Sequence, residues 1–247
     1  MRRIDYKQER RKRRARAVNH WIVAIIIILG IAMVCVLNMD HIESFMANYV
    51  QTVELGKTNK NSKLKKKVKA NFNYQQVKPV SPSSIAQAFA KSKDYQPVGQ
   101  LAIDGLNVHQ NVYEGVGNVE LNLGLGTLKP HQKMGRRNYA LAGHNMNDNK
   151  SYLSPLYGAE NNNNLMGQAI YITDFKNVYF YKVIEARFIS KYDTELISDH
   201  GFGKSPVITL ITCDATGAGR LYVLGSYTGQ MSLDKAPNNV QKSFIFK

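Results

Sequence analysis

Cys213 and Arg220 have the residue types and the spacing for thiol-based acyl transfer. Cys213 ends the apolar, β-branched run TLIT (209–212), and Arg220 follows seven residues later. The thiolate is the reactive form of cysteine, yet a free thiol is mostly protonated at neutral pH. A guanidinium nearby stabilises the thiolate and the oxyanion that forms on an attacked carbonyl. The pattern therefore predicts a nucleophile at Cys213 and a fixed cation at Arg220.

His144, in LAGHN (141–145), has the best setting among the six histidines for a general acid and base. It ends a predicted strand and follows a glycine, which permits close backbone approach. An isolated histidine is more often structural, and a buried cysteine more often a small hydrophobic residue. Because 69 residues separate His144 from Cys213, their pairing is a hypothesis at this point. A metal site is not indicated, since the sequence has no CxxC and no HExxH.

The net charge of +15 lies mainly outside the part of the chain expected to fold as a domain. Residues 1–20 carry nine Arg or Lys and two acids, and residues 57–69 carry seven lysines and no acid. Residues 70–247 hold 17 basic and 13 acidic residues, only +4. Aromatic stacking residues are absent from the lysine-rich stretch, which argues against nucleic acid as a partner. Solubilisation and contact with lipid headgroups are the interpretations that remain.

The apolar stretch 21–37 predicts a membrane anchor. No charge occurs in the 23 positions between Arg16 and Asp40, enough for a helix to cross a hydrocarbon core of about 30 Å. The basic cluster before it predicts a cytoplasmic N-terminus and places the rest of the chain outside the cell. A cleavable signal peptide is the alternative. The small-residue cleavage site that a signal peptide needs is missing after the run, which favours an uncleaved anchor.

These patterns divide the chain into four parts. We assign 1–19 to a basic cytoplasmic tail, 20–39 to the transmembrane anchor, 40–69 to a stalk and 70–247 to the folded domain. The stretch 41–55 is compatible with a continued helix.

The folded domain has the pattern of an all-β protein. Short β-type runs are separated by Gly, Asn, Asp and Pro, which predicts a barrel or a sandwich. The seven predicted strands are 100–103, 108–113, 139–142, 169–173, 178–189, 207–212 and 221–227. One short helix is predicted over 82–90, capped by Ser83 or Ser84. The residues 160–164 predict a turn. The 17 mostly polar residues 190–206 predict a functional loop, either a lid or a binding wall.

TLITC followed by Arg220, together with LAGHN upstream, resembles the signature of sortases, in particular those of class A. The resemblance covers roughly 71–247 and includes NLGLGTL (122–128). It implies an eight-stranded β-barrel that cleaves an LPxTG-type sorting signal between Thr and Gly. By the same resemblance, Cys213 is the nucleophile, His144 is the acid and base, and Arg220 stabilises the oxyanion or orients the substrate.

The resemblance also implies the partners and the substrate groove. Ala142 and Ile211 match positions that line the sorting-signal groove, and Thr212 is expected to assist at the oxyanion. The accepting group is an amine on a lipid II-type cell-wall precursor. No cofactor is implied. Some members bind calcium through acids in the loop before the histidine motif, but 115–133 holds only Glu120 as an acid, so calcium activation is not supported.

Two alternatives stay open on the sequence alone. The first is a sortase specialised for pilins, although 70–97 shows no lid motif. The second is a non-enzymatic cell-surface binding domain in which Cys213 is merely structural.

Overall fold

The apolar stretch lies in a long helix at the N-terminus. A computed structural model describes residues 2–57, 68–199 and 205–244. Helix α1 spans Arg2–Leu37 and helix α2 spans Met39–Lys57. Among the described residues, one stretch, Arg16–Leu37, is long and apolar enough to cross a membrane. The chain divides into two compact units, residues 1–42 and residues 43–247.

Eight strands form a closed barrel in the second unit. Their bounds are β1 Gly99–Ile103, β2 Val108–Tyr113, β3 Leu125–Thr127, β4 Asn138–Ala142, β5 Ala169–Thr173, β6 Asn177–Ser190, β7 Val207–Cys213 and β8 Gly219–Ser232. The order around the barrel is β1-β2-β3-β4-β7-β8-β6-β5. The pairs β2–β3 and β4–β7 are parallel, and the other neighbours are antiparallel. The predicted all-β class and the eight-stranded barrel are confirmed.

Side-chain alternation along the strands fills the barrel interior. Leu141 on β4, Leu210 on β7 and both Leu221 and Val223 on β8 are fully buried in one central apolar cluster. An eight-stranded barrel is just wide enough for such side chains to fill it. The alternate residues of these strands therefore face outward, and the outer face is where a substrate has access.

Four short helices accompany the barrel: α3 Pro82–Lys91, α4 Asn118–Leu123, α5 Ser154–Asn161 and α6 Asn238–Lys242. The predicted helix over 82–90 is α3, but its cap differs from the expected one. Ser81 caps it, accepting a hydrogen bond from the Ser84 backbone while the Ser84 hydroxyl accepts one from the Ser81 backbone. Pro82 then occupies the first helical position, where its missing N–H costs nothing.

The segment expected to be a stalk is partly folded against the barrel. From residue 43 onward α2 belongs to the same compact unit as the strands. Ala47 and Val50 are buried with Ile85 of α3, Tyr113 of β2 and Tyr152 in one apolar cluster. The lysine-rich part of the stalk, 58–67, lies outside the described residues. The folded body therefore begins well before residue 70.

Candidate active site

Strand register brings the three predicted catalytic residues to one rim of the barrel. Cys213 is the direct antiparallel partner of Arg220 between β7 and β8. The parallel pairing of β4 and β7 ends at Ala142 and Ile211, and the Gly143 N–H then donates to the Ile211 carbonyl at 3.1 Å. Continuing this register by two residues places His144 beside Cys213. All three side chains line one pocket.

Gly143 lets the chain leave β4 next to the core. A Cβ at this position would lie 2.6 Å from Leu125 Cδ2 and 2.9 Å from Leu153 Cγ. Both leucines are fully buried. Only glycine fits this space, so Gly143 determines where the backbone delivers His144.

Hydrogen bonds fasten the loop after His144 to the loop after Cys213. The Asn145 amide donates to the Cys213 carbonyl at 3.0 Å. The Asn147 amide donates to the Ala215 carbonyl at 3.1 Å. These bonds fix the spacing of the histidine and cysteine segments beyond the ends of their strands.

The turn between Cys213 and Arg220 is built around a carboxylate. Asp214 accepts hydrogen bonds from the Thr216 N–H and hydroxyl and from the Gly219 N–H, at 3.0, 2.8 and 2.9 Å. Gly217 adopts φ +75°, a backbone region that favours glycine. Arg220 Nη1 donates to the carbonyls of Gly217 and Gly219 at 3.0 and 2.8 Å. The guanidinium is therefore held by its own turn at one end.

Burial favours the neutral forms of both Cys213 and His144 in the free protein. Desolvation raises the pKa of Cys213, the Arg220 guanidinium opposes this rise, and Asp214 adds to it. Desolvation lowers the pKa of His144 to about 4. At neutral pH the resting site therefore holds a thiol and an uncharged imidazole. His144 in that form is able to accept a proton.

The pocket that His144, Cys213 and Arg220 line is largely apolar. The predicted groove residues Ala142, Ile211 and Thr212 all line it. Ala142 and Ile211 are half-buried on the outer face, as is Cys213. Thr212 pairs in register with Leu221 of the barrel core and is 2% exposed. Its hydroxyl is buried with no hydrogen-bond partner among the described residues. Thr212 thus presents its side chain to the opposite face from Cys213.

Several residues of this pocket were not predicted from the sequence. Most are apolar side chains from separate segments: Tyr74, Val77, Val116, Leu121, Leu128, Ile189 and Ile197. Tyr74 and Val77 precede the first strand, where no chemical motif marks them. Ile197 belongs to the 3-10 helix Thr194–Ile197 within the predicted functional loop 190–206, and residues 200–204 of that loop lie outside the described residues.

Among the described residues, no three His, Cys, Asp or Glu side chains lie close enough together to hold a metal ion. This includes the acidic residues before the histidine motif. Glu120 is buried, and desolvation raises the pKa of its carboxyl.

Comparison with known proteins agrees with this geometry. The Sortase domain family matches residues 101–228. Sortase A of Streptococcus agalactiae is 31% identical over 233 residues, covering 92% of this chain and 91% of the streptococcal protein. Sortase A of Listeria monocytogenes is 30% identical over 195 residues, covering 78% of this chain and 83% of that protein.

The crystal structure of the Listeria sortase A superimposes with a TM-score of 0.53 at 28% identity, covering 61% of this chain and 98% of that chain. Its match extends the sequence similarity to the fold. The chain belongs to the sortase family and is a cysteine transpeptidase of the sortase A type, which anchors surface proteins.

Proposed function

We propose that this transpeptidase cleaves an LPxTG-type sorting signal between Thr and Gly and joins the new carboxyl end to an amine of a cell-wall precursor. The observation that supports this most directly is the pairing of Cys213 with Arg220, together with a neighbouring parallel strand that ends two residues before His144. In this proposal Cys213 is the nucleophile, His144 the acid and base, and Arg220 the oxyanion-stabilising group.

The first half-reaction forms a thioester. His144 takes the thiol proton as the Cys213 sulfur attacks the threonine carbonyl carbon. The Arg220 guanidinium neutralises the charge that develops on the carbonyl oxygen. The C–N bond to glycine then breaks, and the leaving amine takes the proton from His144. The products are a threonyl thioester on Cys213 and a free glycyl peptide.

The second half-reaction reverses these roles. An incoming amine attacks the thioester carbonyl while His144 accepts a proton from the nitrogen. The C–S bond breaks, an amide forms, and the sulfur leaves as a thiolate that His144 reprotonates. The neutral resting pair supports this cycle, because an uncharged imidazole is a base for the first attack and is regenerated after the second.

The apolar lining of the pocket supports a signal that carries apolar side chains. Val116, Leu128 and Ile211 offer an apolar wall for the Leu and Pro side chains. Ala142 leaves room beside Cys213 for the scissile bond. Because the Thr212 side chain faces the barrel interior, we assign oxyanion stabilisation to Arg220.

The N-terminal helix supports a single-pass membrane location. The stretch Arg16–Leu37 has the length and composition to cross a bilayer, and the basic residues before it favour a cytoplasmic N-terminus with the barrel outside. The precursor amine is itself lipid-linked in this proposal, so enzyme and acceptor meet at the same surface.

A peptide assay on the full chain in detergent micelles tests the proposal. An LPxTG peptide and an amine acceptor should give a peptide cut after Thr and an amide product, both identified by mass. Cys213→Ala should abolish both products, and hydroxylamine should release the thioester from the wild-type enzyme as a hydroxamate. Intact peptide with the wild type, or turnover by Cys213→Ala, would contradict the proposal. The latter result would favour a structural cysteine.

A further inference from the structure

The buried side chain of Gln51 connects α2 to the segment that carries His144. Gln51 is 4% exposed. Its Oε1 accepts hydrogen bonds from Gln110 Nε2 of β2 at 2.6 Å and from the Tyr152 backbone N–H at 3.0 Å. Both partners are donors, so only the oxygen of the Gln51 amide satisfies them. A glutamine from the predicted stalk thus holds one backbone position in the loop after His144.

The backbone of Tyr152 has an unusual conformation. It adopts φ +51°, which is uncommon for a bulky residue. Its side chain is fully buried, and its hydroxyl donates to the Asn122 carbonyl at 2.9 Å. A conformation of this kind costs energy and persists only when its surroundings hold it. The Gln51 oxygen is one of the groups that hold it.

Tyr152 is also the direct neighbour of the His144 ring. The two ring centroids are 5.5 Å apart in an edge-to-face arrangement. The next residue, Leu153, donates its N–H to the His144 carbonyl at 3.1 Å. The chain therefore leaves His144, makes a loop and returns through Tyr152 onto both the ring and the backbone of His144.

We propose that Gln51 is a positioning residue for His144, acting through Tyr152. The Gln51 oxygen keeps Tyr152 in its left-handed conformation, and the Tyr152 ring then fixes the plane of the imidazole and keeps water from one side of it. Helix α2, which follows the membrane anchor, is by this inference part of the catalytic support. The effect on turnover rests on the proposed role of His144, whereas the effect on the ring itself does not.

The test compares three variants of the full chain in detergent micelles. Gln51→Leu removes the acceptor. Gln51→Glu keeps an acceptor oxygen whether its carboxyl is ionised or protonated, and is the conservative rescue. Leu55→Ala is the matched control, because Leu55 is also buried on α2 but lies outside the apolar cluster that contains Tyr152.

Two measurements are made on each variant: the kinetics of peptide cleavage, and the imidazole titration of His144 by NMR with ¹⁵N-labelled histidine. Gln51→Leu should lower kcat about tenfold, the size expected when one hydrogen bond to a strained backbone is lost. KM should stay within about twofold, since Gln51 is not among the residues that line the pocket. The His144 pKa should rise towards its ordinary value as water reaches the ring.

Gln51→Glu adds a carboxyl, so its rescue is judged by kcat alone. The ionisable groups that face His144 are unchanged in Gln51→Leu and Leu55→Ala. They come from the neighbouring strands, the loop 190–206, the segment before β1 and the returning loop: Cys213, Arg220, Lys191, Asp193, Tyr74 and Tyr152. A change in titration therefore reports solvation and position of the ring.

Retention of both kcat and the His144 titration in Gln51→Leu would overturn the proposal. An equal change in Leu55→Ala, or no recovery of kcat in Gln51→Glu, would also overturn it, because a general loosening of α2 would then explain the result. His144→Ala separates the two proposals. Full turnover in that variant would remove the proposed acid–base role, while the NMR titration of Gln51→Leu would still decide whether Gln51 positions the ring.

Discussion

Gly143→Ala tests whether core packing determines the position of His144. The new Cβ would lie 2.6 Å from Leu125 Cδ2 and 2.9 Å from Leu153 Cγ, closer than carbon atoms approach without displacement. Both leucines are fully buried, so neither side chain has solvent to move into. Overpacking of this kind costs about 1–3 kcal/mol. For a folded unit of this size that lowers Tm by about 2–12 °C.

The same displacement should reach the active site, because His144 is the next residue. We expect kcat for LPxTG cleavage to fall at least about tenfold, since misplacing a catalytic group by a fraction of an ångström has effects of this size or larger. Differential scanning calorimetry and peptide cleavage on the full chain measure the two effects. Gly56→Ala is the control, because nothing lies within 4 Å of that Cβ. It should leave kcat unchanged.

A second substitution tests whether the clash with Leu125 causes the loss of stability in Gly143→Ala. Leu125→Val shortens the side chain that the new Cβ meets first, so it should recover part of the Tm lost in Gly143→Ala. The two changes should therefore couple favourably in a double-mutant cycle. Strict additivity, or a melting temperature of Gly143→Ala within about 1 °C of the wild type, would refute the packing argument.

Three further predictions concern charge at the site. Iodoacetamide should alkylate Cys213 slowly at neutral pH, with a rate that rises as pH passes above the ordinary thiol pKa of 9.0; a plateau below pH 7 would contradict a neutral resting pair. Because the folded pKa of His144 is depressed from 6.5 to about 4, stability should be complete above pH 6.5 and fall by up to about 3 kcal/mol as pH drops to 4; His144→Gln should flatten this slope in urea titrations. Arg220→Lys should cut kcat about 100-fold, because a lysine ammonium cannot donate hydrogen bonds to the Gly217 and Gly219 carbonyls and to an oxyanion at the same time. Near-normal turnover would remove Arg220 from catalysis.

Most strands could be predicted because short β-type runs, separated by turn residues, mark them in the sequence. The seven predicted runs correspond to β1, β2, β4, β5, β6, β7 and β8, with ends displaced by a few residues. The strand that was missed, β3, has only three residues, Leu125–Thr127. Its pairing with β2 and β4 is long-range, and its glycine suggests a loop when the sequence is considered alone.

The candidate site contains residues that the sequence marks by their chemistry and supporting residues that it does not mark. Cys213 and Arg220 stand close together in the sequence with recognisable chemistry. Gln51 and Tyr152 do not, because their importance comes from contacts across 101 residues of chain. The stalk helix was missed as part of the folded body for the same reason. A helix over 41–55 was compatible with the sequence, but the burial of Ala47, Val50 and Gln51 depends on contacts with residues distant in the chain.

The register gives a rule for which positions near the triad affect chemistry. Ala142 of β4 and Ile211 of β7 lie two residues before His144 and Cys213 and line the groove. The residues out of phase, such as Leu210 and Leu221, face the core. On β4 and β7, a substitution one residue before His144 or Cys213 should therefore change stability first, and one two residues before should change substrate selection first. Thr212 is adjacent to Cys213 and faces inward, so Thr212→Val, which removes an unpaired hydroxyl, should raise Tm while leaving KM unchanged. A loss of turnover without a change in Tm would instead place the Thr212 hydroxyl at the reacting carbonyl.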